Sequence, residues 1–275
     1  MGLVYQKKNT VNWVKYFKQR VRKNKNFIGL VMGPTGSGKT YSALSIAEQS
    51  DPNFNIKQVV FTGKELMALM NSEKLKKGSV IVFEEVGIEL DASKWQSTAN
   101  QMIKYLLETF RHRNFILLMT TPYMGYLAKG GRMLLHGVFE TQSIDVNKKT
   151  CKLKPMLLQY NSRRDKTYWK YLRVKTEDGI KPLTRWNVPL PSPELIKKYE
   201  ERKSEFTKQL YLRITKELNE QEGKKVEKYP MKCDKCGHTW ESRNPSPPKC
   251  AKCGSKLTKR ADSLGIVDLE AKSHV

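Results

Sequence analysis

The chain has 275 residues, room for one sizeable core and a small second module. Its 51 Lys and Arg against 27 Asp and Glu give a formal net charge of +24, which calls for a polyanionic partner: nucleic acid first, DNA before RNA, and an anionic membrane surface second. No apolar run approaches the roughly 20 residues that span a bilayer, and Met1 to Gln6 shows neither a signal-peptide core nor a myristoylation pattern, so no transmembrane segment and a cytoplasmic address are expected.

From Val11 to Lys25, Val14, Phe17 and Val21 fall at helical spacing among Lys15, Lys18, Arg20, Arg22, Lys23 and Lys25, and no acid precedes residue 48. The expectation is a basic amphipathic helix, either packed on the core or reaching a phosphate or lipid surface. The apolar run Phe27 to Met32 ends at Gly33, and a helical stretch from Lys39 to about Gln49 follows, stopped by Asp51-Pro52. A second strand over Gln58–Thr62 leads into a helix over about Lys64–Met70. A third, Ser79–Phe83, ends at Glu84-Glu85, and a helix over about Ser93–Phe110 precedes a fourth strand, Phe115–Thr120. Strands and helices alternating on this scale predict an α/β fold with a parallel sheet covered on both faces.

Beyond Glu140 the pattern turns to antiparallel strands near Val138–Val146, Lys152–Tyr160 and Thr167–Val174, after which Pro182, Pro189, Pro191 and Pro193 break the chain. Within this stretch Arg163 to Tyr171 interleaves bases with aromatics, which suits either base stacking on single strands or a strand with one buried aromatic face. Ser192 caps a helix whose face is marked by Leu195, Tyr199, Phe206, Leu210, Ile214 and Leu218 to about Glu220. At roughly 40 Å it is either a spacer or a packing surface for another subunit. The divisions are a basic helix (1–25), a core of alternating strands and helices (26–140), an antiparallel β insert (141–190), a helical linker (191–228), a cysteine module (229–260) and a disordered tail (261–275).

Gly33, Pro34, Thr35, Gly36, Ser37, Gly38, Lys39 and Thr40 spell G-x-x-x-x-G-K-[ST] between an apolar strand and a helix, the context that confirms a phosphate-binding loop. The glycines let successive N–H groups turn inward around the β- and γ-phosphates of ATP, and the helix N-terminus adds partial positive charge. Lys39 is expected on the β- and γ-phosphates and the Thr40 hydroxyl on magnesium, with Tyr41 just behind the loop among the nucleotide contacts. Glu84 stands where a Walker B acid holds the magnesium shell, and Glu85 where a base orients the attacking water. Thr121, at the end of the fourth strand, is the candidate sensor of the γ-phosphate. Arg111 and Arg113, and further on Arg132, are candidates for an arginine finger offered to a neighbouring subunit, while His112 reads as a packing or surface residue.

Taken together, the strand and P-loop, the strand ending in two acids, and Phe110-Arg111-His112-Arg113-Asn114 leading into Phe115 to Pro122 resemble the FtsK–HerA superfamily of DNA-pumping ATPases, and within it the zonular occludens toxin-like branch. The resemblance covers about residues 26 to 140. It implies a RecA-like P-loop NTPase sheet, a homo-oligomeric ring, commonly hexameric, with ATP between subunits, and hydrolysis coupled to DNA movement through a central channel. The chain departs from the family in carrying Glu84-Glu85 for the usual Asp-Glu and Thr121 for the usual Gln. The membrane span of filamentous-phage members is missing as well, which argues against phage extrusion.

Cys233-x-x-Cys236 and Cys250-x-x-Cys253, 13 residues apart, have the spacing of a four-thiolate zinc site and look like a zinc ribbon. Gly237 and Gly254 each follow a pair, where tight turns carry N–H groups toward thiolates, and Trp240 is expected in a very small core. Four thiolates leave zinc no open position, so a structural metal is expected. Between Lys224 and Arg260 stand eleven Lys or Arg and three acids, which favours a nucleic-acid contact over a protein-docking knob. The fifth cysteine, Cys151, reads as a small buried residue on a strand. The leading functional reading is an ATP-driven DNA motor, and the alternative is a nucleotide-gated DNA- or protein-binding switch with negligible turnover.

Overall fold

The computed structural model describes residues 13–85, 113–127, 129–176, 179–223, 229–244 and 247–256. The helix expected over Ser93–Phe110, Arg111 and His112, and the tail 261–275 lie outside them. The chain divides into two compact units, Met1–Phe206 and Thr207–Val275.

In the first unit the parallel strands are β1 (Phe27–Met32), β2 (Val59–Val60), β3 (Val80–Phe83), β4 (Ile116–Thr121) and β5 (Gly137–Asp145), ordered β5-β1-β4-β3-β2. Their side chains alternate between two buried clusters. Phe27, Val31, Val80, Val82, Ile116 and Leu118 enter one, and Ile28, Leu30, Ile81, Phe83, Leu117 and Met119 the other. Burial on both faces is why these segments read as continuous apolar runs, and each such side chain contributes about 1.5–3 kcal/mol. Helix α1 (13–22), α2 (Lys39–Ser50) and α3 (Gly63–Asn71) cover the sheet.

Helix α1 packs on the core and keeps Lys15, Lys18 and Arg22 exposed. Trp13 and Phe17 are fully buried with Phe27, Phe139 and Trp186, the Trp13 and Trp186 rings stacked at 5.7 Å and Phe17 4.5 Å from Phe27. A short helix, α4 (Lys129–Met133), precedes β5. The antiparallel element continues the same sheet: β6 (Thr150–Asn161) pairs with β5, and β7 (Lys166–Lys170) and β10 (Trp186–Pro189) with β6. The boundary drawn at residue 140 therefore falls inside β5.

The strand expected over Thr167–Val174 is two strands, β7 and β8 (Leu172–Thr176), and β8 pairs with β9 (Gly179–Leu183) in a separate ribbon. Pro182 and Pro189 lie within strands rather than breaking them. A strand with a free edge tolerates a residue that has no N–H to donate, and Pro189 is also the last residue of its strand.

Helix α5 (Pro193–Gly223) begins in the first unit and ends in the second. Its first turns are part of the core, not a linker: Leu195 and Tyr199 are buried, and Phe206 stacks on Phe61 at 4.7 Å. The second unit holds the hairpin β11 (Tyr229–Lys232) and β12 (Thr239–Ser242). This is the RecA-like α/β architecture of P-loop NTPases, a parallel sheet with an appended antiparallel element and a cysteine cluster near the C-terminus. Among the described residues no helix is long and apolar enough to cross a membrane.

Candidate nucleotide site and metal centre

The loop from Gly33 to Gly38 joins the C-terminal end of β1 to the N-terminus of α2, where no side chain caps the helix and no acid stands in the first turn. The free N–H groups of that end suit an anion. Gly33 and Gly38 both have positive φ, 150° and 86°. A Cβ at Gly33 would lie 1.9 Å from Thr141 Oγ1, and one at Gly38 3.3 Å from Cys151 Sγ. Thr141, on β5, donates to Ser37 Oγ at 2.7 Å, and the buried Cys151 thiol, on β6, to the Ser37 carbonyl at 3.5 Å. The parallel strand β5 and its antiparallel neighbour β6 thus support the loop. Cys151 is the buried strand residue its sequence suggested, whereas nothing in the sequence singled out Thr141.

Lys39 is buried and donates to the Pro34 carbonyl at 2.9 Å. Burial pulls its pKa below the usual lysine value, and the charges of Glu84 and Glu85 oppose that shift. Thr40 Oγ1 donates to Glu84 Oε1 at 2.7 Å, so the longer acid reaches the loop hydroxyl directly. Glu84 is 3% exposed, and burial is the largest influence raising its pKa. Thr120 donates to its other oxygen at 3.1 Å, and Tyr199 of α5 donates to Oε1 at 3.1 Å. Glu85 has φ 47°, gives its N–H to Thr120 Oγ1 at 2.8 Å, and pairs through Oε2 with Lys203 Nζ at 3.2 Å.

Several sequence candidates fall elsewhere. Thr121 is fully buried, but its hydroxyl donates to the Tyr123 carbonyl at 3.2 Å; its neighbour Thr120 meets the acids. Tyr41 turns its phenol to Glu200 Oε1 at 2.8 Å. Arg113 is exposed just before β4, at the strand end opposite the loop, and Arg132 is exposed on α4. Tyr199 and Lys203 also reach the two acids, and sequence reasoning missed them. Their only signal was a Tyr and a Lys four residues apart on the face read as a packing stripe.

The donors fit a triphosphate with a divalent cation: uncapped N–H groups and an ammonium for the phosphates, and the Thr40 and Glu84 oxygens for the metal. In the second unit the four cysteine sulfurs lie within 4.8 Å of one another, and the pairs Cys233/Cys253 and Cys236/Cys250 stand 3.7 and 3.8 Å apart. A tetrahedron with metal–sulfur bonds of about 2.3 Å has edges of about 3.8 Å, so the cluster fits zinc. The Gly237 and Gly254 N–H groups close their turns on the Cys233 and Cys250 carbonyls, at 2.8 and 3.0 Å, not on sulfur; Lys252 N–H points to Cys250 Sγ at 3.4 Å. Trp240 is half-buried and stacks with His238.

The aromatics of β7 do not form a buried face. Trp169 is 45% exposed and Tyr168 half-buried.

A family model described as the res subunit of type III restriction enzymes matches residues 3–122, under half of the chain. No curated protein matches. Among solved structures, the N-terminal domain of zonular occludens toxin from Neisseria meningitidis is 16% identical, over 57% of this chain and 100% of that one, with a TM-score of 0.35. The RuvB Holliday junction branch migration motor of Thermotoga maritima is 20% identical with a TM-score of 0.35, over 48% of this chain and 45% of its own, so the chain spans less than half of that protein. The genome packaging NTPase B204 of Sulfolobus turreted icosahedral virus 2 is 12% identical over 52% of this chain and 96% of that one, with a TM-score of 0.35. The chain carries the P-loop domain of an ATP-hydrolysing enzyme, and the loop, lysine, hydroxyl and buried acid at the C-terminal edge of its parallel sheet are the candidate site.

Proposed function

We propose that the chain is a DNA motor in which ATP hydrolysis drives movement of DNA, acting as a homo-oligomeric ring of the FtsK–HerA kind. The observation that carries this reading is the 2.7 Å hydrogen bond from Thr40 to Glu84, which ties the phosphate loop to a buried acid although that acid is Glu. The loop N–H groups and Lys39 hold the β- and γ-phosphates of the substrate, and Glu85 orients the attacking water. Thr40 and Glu84 hold magnesium, which when bound supplies positive charge to the phosphate oxygens. Arg111, Arg113 or Arg132 reaches the γ-phosphate of the neighbouring subunit, a role that the exposure of Arg113 and Arg132 permits. Thr121 keeps a place as sensor only through the loop that its hydroxyl anchors. The four thiolates hold zinc as a structural ion, and the net charge of +24 supports DNA as the partner.

A second reading, the nucleotide-gated switch, is favoured by the pairing of Glu85 with Lys203, which holds one oxygen of the carboxylate that would act as base. One experiment separates the two: ATPase rate with and without single- and double-stranded DNA, against Glu85→Gln. Turnover that DNA stimulates and the variant loses supports the motor. DNA binding with no turnover supports the switch.

A further inference from the structure

Helix α5 brings a cation to the two acids of the site. Lys203 Nζ lies 3.2 Å from Glu85 Oε2 and 3.8 Å from Glu84 Oε1, on a side chain only 24% exposed. Thr40 Oγ1 lies 2.7 Å from that same Glu84 oxygen, so the ammonium and the hydroxyl at the mouth of the phosphate loop share one neighbour. The ammonium also faces the Phe61 ring, at 5.4 Å. The helix beneath it is fixed: Arg202 donates to the carbonyls of Ile56 and Val59 and pairs with Glu65, and Phe206 stacks on Phe61. Lys203 can therefore change partner by turning its side chain while its backbone stays in place.

Two anions compete for it. A terminal phosphate carries more charge than a carboxylate, and in a partly buried site that difference is weakly screened. We propose that Lys203 distinguishes ATP from ADP: it exchanges Glu85 for the terminal phosphate of ATP, which frees the Glu85 carboxylate to orient water. ADP brings no such phosphate, so after hydrolysis and phosphate release the Lys203–Glu85 pair re-forms. This rests on the ATPase reading above. No covalent bond changes in the exchange, and one ion pair replaces another.

The test is calorimetric titration of the full chain, with magnesium, by ADP and by the non-hydrolysable β,γ-imido analogue of ATP. The wild type is expected to prefer the analogue. Lys203→Met should weaken the analogue about tenfold, the worth of one good charge-assisted contact, and leave ADP within about twofold. Lys203→Arg should keep the preference, and its binding serves as the check on folding. Equal weakening of both nucleotides, or of neither, overturns the proposal while leaving the ATPase reading intact. A wild-type chain that binds neither nucleotide overturns both.

Discussion

The Tyr199 phenol donates to Glu84 Oε1 at 3.1 Å, across 115 residues of sequence. It is the third hydroxyl on that buried carboxylate, after Thr40 and Thr120. Burial and the adjacent Glu84 charge raise the tyrosine's pKa, so it remains a donor. A buried carboxylate is costly unless its lone pairs are satisfied, and α5 supplies part of that satisfaction.

Tyr199→Phe removes this donor with little change in shape. Loss of a hydrogen bond to a charged group costs about 1.5–3 kcal/mol, which denaturant melts should register. In steady-state ATPase assays kcat is expected to fall several-fold with KM for ATP nearly unchanged, since Lys39 and the loop are untouched. A raised KM with normal kcat would show that Tyr199 acts on binding instead of on Glu84.

Gly33→Ala and Gly36→Ala make a paired test of how the loop is held. At Gly33 the added methyl would overlap Thr141 Oγ1, whereas at Gly36 it would meet nothing within 4 Å. Nucleotide binding, read by calorimetry, should be lost at Gly33. At Gly36 only the strain of φ 77° applies, about 1 kcal/mol. Equal effects would mean that the β5 contact does not shape the loop.

Zinc removal should separate the two units. A chelator is expected to strip about one equivalent of metal and abolish the order of the cysteine module, visible as lost dispersion of its NMR signals, while ATP binding by the first unit persists. Cys250→Ser should do the same without chelator. Elemental analysis of reduced protein that finds less than half an equivalent would count against the site.

The loop, the two acids and the cysteine pairs were legible because each is a short local pattern with a fixed chemical purpose. Thr141, Tyr199 and Lys203 were not, since they come from strands and a helix that only the folded sheet brings to the loop. Thr120 and Thr121 show the limit within a single strand: adjacent residues point to opposite faces, and without the register against β3 the letters do not say which one meets the acids. The strands holding Pro182 and Pro189 were hidden for a related reason, because proline marks a break only where a neighbour needs its N–H.

His136 sets a pH dependence of stability. Its Nδ1 accepts the Ile28 N–H at 3.0 Å, at the start of β5, and the ring lies against Phe27. Burial, with lesser help from the Arg20 and Lys25 charges, pulls its pKa down from 6.5 to about 3. The unfolded chain takes up a proton there below about pH 6.5, and the folded chain does so only near pH 3. The unfolded state thus binds more protons across that window, so stability is full above it and falls with falling pH by at most about 1.4 kcal/mol per unit. His136→Gln offers Ile28 an acceptor that does not titrate. Urea melts between pH 7 and 4 should show a shallower loss for the variant than for the wild type, and parallel curves would mean that this imidazole is not held neutral by the fold.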